Sequence, residues 1–304
     1  MEFLRLLEGL RSPALTAFFG AVTYLGDELV FMVLGITVFW CVSKRQGYYL
    51  FAVGLGGTVV NQWLKLLCRV PRPWVLDPAF TIVESARAGA GGYSFPSGHT
   101  QNIVGTMGAL ALSNRQRSLR VLCAACMVLV PFSRMYLGVH TPLDVGVGAL
   151  GAAAFTLALY PCFRDDAHFR RAVAPVLWAL GALALAYAVW VSAAAFPADV
   201  DAQNLAEGTK NAWTLLGCAA GLIVSRWYDE KHLRYDVKAP LLGQIGKVAL
   251  GLALLLALRA GLKPVVGAVT GGAVWGNAPR YFLMVLFALC LWPRTFPWFT
   301  RLGR

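Results

Sequence analysis

Residues 172–195 read AVAPVLWALGALALAYAVWVSAAA, a run of 24 residues without a single charge. Wound as a helix at about 1.5 Å per residue, such a run outreaches the roughly 30 Å hydrocarbon core of a bilayer. A helix at the surface of a water-soluble domain would carry a polar face, and this one has none. The rest of the chain repeats the message. Of its 304 residues 58% are apolar and 14% are charged, whereas about a quarter are charged in soluble domains. That balance excludes disorder, a disulfide scaffold and an ordinary cytosolic enzyme.

Eight further apolar segments flank this run, at about 29–43, 48–67, 97–113, 118–136, 142–160, 211–227, 241–261 and 279–293. The expected fold is all-α: a polytopic membrane helical bundle of about nine transmembrane helices. Upstream, Glu2, Arg5, Glu8 and Arg11 recur every three residues among Phe3, Leu4, Leu7 and Leu10. That spacing predicts a helix lying in the membrane interface, continued by residues 13–25. The competing reading is a further span across 12–40, which would bury Asp27 and Glu28 at a cost. The mixed charges of MEFLRLLEGLR do not resemble a cleaved leader. The seven cysteines sit mostly in apolar runs without metal-ligand spacing, so neither a zinc site nor a disulfide framework is expected.

The net charge of +12 is read loop by loop. With nine spans, one set of loops holds Lys44, Arg45, Arg115, Arg117, Arg120, Arg164, Arg170, Arg171, Arg226, Lys231, Arg234 and Lys238, with Arg294, Arg301 and Arg304 in the tail. These are 15 of the 27 bases. The positive-inside rule makes this set cytoplasmic and turns 68–96, 137–141, 196–210 and 262–278 outward. Bases at helix ends report orientation, and no nucleic-acid partner is expected. The expected location is a plasma membrane, bacterial in character, with the reactive residues facing out.

Three short stretches break the apolar background: Lys65-LLCRVP-Arg72-Pro73, Pro96-Ser97-Gly98-His99, and Ser133-Arg134-MYLGV-His140-TPL-Asp144. Lys65, Arg72 and Arg134 cannot neutralise one another and call for an anion. A phosphate suits the planar two-point contacts of arginine. Ser97 and Gly98 precede a helix, whose first amides favour an anion. His140 and Asp144 are four apart, so one helical turn brings imidazole and carboxylate to one face. A carboxylate on one ring nitrogen fixes the tautomer and leaves the other nitrogen to attack. His99 is then available to protonate the leaving oxygen. No carboxylate cluster suited to Mg²⁺ accompanies these residues. The chemistry they imply is phosphoryl transfer through a phosphohistidine, with no metal or cofactor.

The patterns KxxxxxxRP, PSGH and SRxxxxxHxxxD resemble, in order and at each defining position, the three-part signature of the type 2 phosphatidic acid phosphatase (PAP2) superfamily. The resemblance covers roughly residues 1–160. It implies His140 as nucleophile, Asp144 as its orienting partner and His99 as general acid, with Lys65, Arg72, Ser97, Gly98 and Arg134 binding phosphate. Residues 1–160 are accordingly expected to form a PAP2-like catalytic membrane core with an N-terminal interfacial helix. Residues 161–304 are expected to add transmembrane helices of unassigned role, the seam being PCFRDDAHFRR at 161–171. Trp74 and Tyr93 are candidates for a lipid entrance, and Arg69 and Arg87 for the second phosphate of a diphosphate.

The expected activity is hydrolysis of a lipid phosphate monoester or diphosphate. The sequence does not choose among phosphatidic acid, phosphatidylglycerol phosphate, a sphingoid phosphate and undecaprenyl diphosphate, and it leaves the oligomeric state open. Phosphotransfer to another acceptor uses the same half-reaction and stays open as well. Transport without hydrolysis fits less well, because transporters show repeated halves with broken helices at the midplane and these halves differ. Lys247, a turn or two inside its span, is expected to snorkel to the surface.

Overall fold

The computed structural model describes residues 1–233 and 235–302, so the bases Arg234 and Arg304 lie outside the described residues. Every regular element among the described residues is helical. Besides short 3-10 and π turns, the α-helices in chain order are α1 (Glu2–Gly9), α2 (Pro13–Thr23), α3 (Glu28–Cys41), α4 (Lys44–Cys68), α5 (Pro73–Leu76), α6 (Gly98–Ser113), α7 (Arg117–Tyr136), α8 (Pro142–Phe163), α9 (Asp166–Ala193), α10 (Ala202–His232), α11 (Leu241–Thr270), α12 (Asn277–Leu286) and α13 (Phe296–Phe299). Each of the nine apolar segments falls on a helix. Among the described residues, six helical stretches are long and apolar enough to cross a membrane, or seven if α2 and α3, bent by 51° at Asp27, form one broken span. The count of nine is therefore not reached on length and composition. At 16 residues α6 is short, and it carries His99, Thr100, Gln101 and Asn102. In α10, Lys210, Asn211 and Arg226 interrupt the apolar run.

The chain divides into two compact units interleaved along the sequence. The first comprises Met1–Met32, Gly56–Pro161 and Ala195–Gly208; the second comprises Val33–Leu55, Cys162–Ala194 and Thr209–Arg304. Leu150 and Leu157 of α8, Trp178, Leu185 and Val189 of α9, and Leu254 and Val269 of α11 all stand exposed. Outward apolar side chains at this density would associate in water and are at home among lipid tails.

In the first unit, α6 packs against α7, and α1 and α2 pack on α7 as well. Ser12 caps α2 through Leu15 N at 3.3 Å, with Pro13 at the first helical position. Phe19 of α2 stacks on Tyr136 with ring centroids 4.6 Å apart. Leu137, Val139, Ala86 and Ala90 complete that core. The same segment continues into His140, so this packing seats the turn that bears it. The polar face of α1 fastens to residues 77–81. Arg5 reaches the Ala79 carbonyl at 3.0 Å, Glu8 accepts from Thr81 N at 2.9 Å and Arg11 donates to the Thr81 carbonyl at 2.9 Å. Leu4 and Leu7 are buried, while Phe3, Leu6 and Leu10 stay exposed.

In the second unit, Trp40, Trp292, Phe296 and Phe299 build an aromatic core, with Trp40 Nε1 donating to the Ala288 carbonyl at 2.8 Å. Lys247 does not snorkel. Its ammonium donates to the Val237 carbonyl at 2.9 Å and lies 4.7 Å from the centre of the Phe296 ring, and the residue is fully buried. A carbonyl and a ring face close at hand replace water as partners.

Candidate active site

Four helix ends of the first unit meet here. Lys65 lies in the last turn of α4, Arg134 in the last turn of α7, Gly98 and His99 open α6, and Asp144 lies in the first turn of α8 just after His140. Every sequence-derived candidate thus falls in one neighbourhood. Lys65, Arg72, Arg134, Ser97, His140 and Asp144 are all buried, Arg134 to 1% exposure.

Hydrogen bonding orients the imidazole. Arg72 Nη1 lies 3.0 Å from His140 Nε2. A guanidinium can only donate, so Nε2 is the bare nitrogen and Nδ1 carries the proton. That proton faces Asp144 Oδ2 and Ser94 Oγ, each 3.5 Å from Nδ1. Asp144 Oδ2 is itself held by Ser94 Oγ at 2.6 Å and by Thr141 N at 2.7 Å. In the turn between α7 and α8, burial holds the His140 pKa well below its usual range, helped by Arg72, Arg134, Lys65 and His99. The ring is neutral and carries its lone pair toward the cations.

Those cations share a feature that the sequence motifs do not contain. Lys65 donates to the Tyr93 carbonyl. Arg72 donates to Gly91 O at 2.6 Å, Gly92 O at 3.0 Å and Val139 O at 3.0 Å. Arg134 donates to Gly89 O at 3.2 Å and Thr23 Oγ1 at 2.8 Å, and its Nε has no partner among the described residues. One strip, residues 89–93, therefore offers carbonyls to all three. Gly92 sits at φ +68, in the left-handed region where glycine is free of side-chain strain. The signal was present as the glycine-rich AGAGGYS at 88–94, one residue before PSGH. Ser94 belongs to the same stretch and went unread, because a lone serine in a loop carries no spacing pattern.

Ser97 caps α6, accepting from Thr100 N at 3.4 Å and Thr100 Oγ1 at 3.0 Å. Its own amide donates to the Asp144 carbonyl at 3.0 Å, which ties the opening of α6 to α8 and leaves Gly98 and His99 to present first-turn amides. That tie needs Gly148: a Cβ there would stand 2.8 Å from the Ser97 carbonyl oxygen. The His99 ring borders Gly89, whose ideal Cβ would lie 3.9 Å from Cε1. Ser133 spends its hydroxyl on the Val130 carbonyl at 2.6 Å. Trp74 lies against Arg87 and Arg72, at 5.0 and 5.9 Å. Tyr93 is buried, and its hydroxyl accepts from Asp201 N at 3.2 Å. Arg87 pairs with Glu84 at 2.7 Å and Arg69 with Asp199 at 3.5 Å. A cleft of about 500 Å³ opens beside Arg72, bordered by Arg69, Tyr93, Asp199 and Asp201.

Residues 45–168 match the family model of the PAP2 superfamily, and residues 213–303 match that of the PAP2 superfamily phosphatase, transmembrane extension. The chain belongs to the PAP2 superfamily. With the transmembrane extension and its exposed apolar helices it is an integral membrane protein. Undecaprenyl-diphosphatase BcrC of Bacillus subtilis is 30% identical over 123 residues, which are 40% of this chain and 60% of that protein. Phosphatidylglycerophosphatase B of the same organism is 28% identical over 162 residues, 49% of this chain and 75% of that one. The chain thus spans about 60% of the length of the first of these curated relatives. The crystal structure of Aquifex aeolicus LpxE is similar at 29% identity and a TM-score of 0.46, covering 52% of this chain and 92% of that one.

Proposed function

We propose that this PAP2 superfamily member hydrolyses a phosphate monoester or diphosphate borne on a membrane lipid, through a phosphohistidine at His140. The observation that carries this reading is the bare Nε2 of a neutral, buried imidazole facing a guanidinium, with two more cations held on the same loop. Phosphate oxygens would take over the donors of Lys65, Arg72 and Arg134, joined by the amides of Gly98 and His99 and by the Ser97 turn. Nε2 then forms a bond to phosphorus as the bond from phosphorus to the lipid-borne oxygen breaks, with Asp144 and Ser94 stabilising the charge on Nδ1–H. His99 gives a proton to the departing oxygen. It later takes one from the water that cleaves the phosphohistidine and releases phosphate.

In this reading the catalytic work belongs to residues 1–160, with 161–304 as accessory membrane helices. The lipid diphosphatase and phosphatidylglycerophosphatase among the relatives support a lipid phosphate as substrate. The cluster faces outward from the plasma membrane, on the strength of the basic loops sorted to the opposite side.

Purified protein given a panel of lipid phosphates and diphosphates in EDTA should release phosphate, and His140→Ala should not. Absence of release from every lipid, or full activity of His140→Ala, rejects the proposal. For sidedness, in a Cys68→Ser background, Ala88→Cys should react with an impermeant thiol reagent on intact cells and Gln116→Cys should not. The reverse pattern rejects the outward assignment.

A further inference from the structure

A second polar cleft, of about 440 Å³, is built wholly from the second unit, and the phosphatase chemistry makes no use of it. It lies where α4 and α9 begin and α10 ends. Lys44, Arg45, Arg170 and Arg226 line it, together with Asp166 and Glu230. Helix starts at two walls add positive potential.

Two of the four cations are already matched. Lys44 meets Asp229 at 2.5 Å, and Arg45 meets Asp166 at 3.0 Å. Of the other two, Arg226 has only long ion pairs and an unused Nε, and Arg170 has no ion pair among the described residues. Arg226 is 8% exposed and lies on the face of Phe169 at 5.2 Å. It approaches Asp229 and Glu230 only at 3.8 and 3.6 Å, and its Nε has no hydrogen-bond partner among the described residues. Arg170 makes no ion pair among the described residues and is exposed. A buried guanidinium with an empty donor is expensive to keep unless something binds it. Val42, 56% exposed, and Val237 form an apolar lip beside these charges.

We propose that this cleft binds a phosphate anion between Arg226 and Arg170. The apolar lip suits a phosphate carried by an anionic phospholipid, its tails running past Val42. Free phosphate shares the same donors, and the two sources separate by experiment. Guanidinium supplies paired N–H donors to phosphate oxygens, and a basic pocket between helix ends is a recurrent way to hold a lipid head group.

The test is native mass spectrometry of the full chain in detergent, titrated in separate arms with phosphatidylglycerol, phosphatidylcholine and inorganic phosphate. The expected result is one tightly retained phosphatidylglycerol, with phosphatidylcholine weaker by about tenfold. Arg226→Gln and Arg170→Glu should each weaken retention by about tenfold, as the loss of one charge-assisted contact implies. Arg171→Glu, an exposed base outside the cleft, should change it less than twofold. Direct binding of inorganic phosphate that displaces the lipid, and that the same two variants abolish, supports the site and names free phosphate as its ligand. Equal loss in Arg171→Glu would mean a general surface attraction and overturn the proposal. So would loss of binding in Arg72→Ala, or wild-type protein that retains neither ligand. Should Arg226→Gln fail to fold, the exposed Arg170→Glu decides. The readout is binding, so its outcome is independent of whether the chain hydrolyses anything.

Discussion

Gly148→Ala, set beside Gly151→Ala on the same helix, separates backbone positioning from helix stability. Both substitutions replace a helical glycine of α8 and should favour the helix by about 0.5–1 kcal/mol through the unfolded chain. They differ in what the new methyl meets. At Gly151 it finds nothing within 4 Å. At Gly148 it would stand 2.8 Å from the Ser97 carbonyl oxygen and 3.4 Å from the Ser97 nitrogen. Relief needs the PSGH turn or α8 to retreat by roughly half an ångström, since carbon contacts settle near 3.5 Å. That movement lengthens the Ser97 N to Asp144 O bond of 3.0 Å and displaces His99 relative to His140. A misplacement of about 1 Å can cost ~100-fold in rate, so roughly tenfold in kcat is expected here. The assay is phosphate release by purified protein with kcat and KM resolved, alongside the thermal midpoint. Gly151→Ala should keep wild-type kcat with an equal or higher midpoint. Indistinguishable kcat values for the two variants would refute the argument that the Ser97–Asp144 tie positions the site.

Other consequences are as direct. Ser94→Ala removes the 2.6 Å bond to Asp144 from a fully buried position. A hydrogen bond to a charged group is worth about 1.5–3 kcal/mol, so kcat should fall tenfold or more with little change in KM, and an unchanged kcat would dismiss Ser94 as a positioning residue. Arg72→Lys keeps the charge but cannot reach Gly91 O, Gly92 O, Val139 O and His140 Nε2 together. Its kcat/KM should drop about a hundredfold on the strength of that fork geometry, and a loss under tenfold would argue for simple charge. Because the His140 pKa is held well below 6.5, the acid limb of kcat/KM, corrected for substrate ionisation, should lie well below pH 6.5; an acid limb at 6.5 would contradict a buried neutral nucleophile. For the same reason the unfolded chain binds the extra proton as pH falls through 6.5 toward the folded value. Stability should therefore decline over that window, less steeply in His140→Gln.

The clustering of the candidate side chains was legible because lysine, arginine, histidine and aspartate are rare in an apolar chain, and each sat in a spaced pattern. Asp144 and His140 share a helical turn by arithmetic alone. The partners that complete the site were not legible for an equally physical reason. Gly89, Gly91, Gly92 and Tyr93 act through backbone carbonyls, which every residue has, and Ser94 is reached across 50 positions of sequence. Among the described residues the count of nine spans is not reached on length and composition where helices mix burial with polarity, as in α6 and α10. Lys247 was misread because the Val237 carbonyl folds back from just before α11 and Phe296 comes from a distant segment, neither of which hydropathy along the sequence can place. The docking of α1 onto residues 77–81 is long-range in the same sense, whereas its two-faced character was plain from Glu2, Arg5, Glu8 and Arg11.

The strip at 89–93 has an evolutionary consequence. It addresses Lys65, Arg72 and Arg134 through main-chain atoms, so nearly any small side chain at Ala88 or Ala90 leaves its message intact. A single inserted or deleted residue, by contrast, would shift each carbonyl by one place and misdirect all three cations at once. Apart from Gly91 and Gly92, where a Cβ would clash with Glu207 or strain the backbone, the loop is freer in spelling than in length. Related chains should vary there by substitution and seldom by insertion or deletion, and a chain that broke this rule would have to find other partners for its three cations.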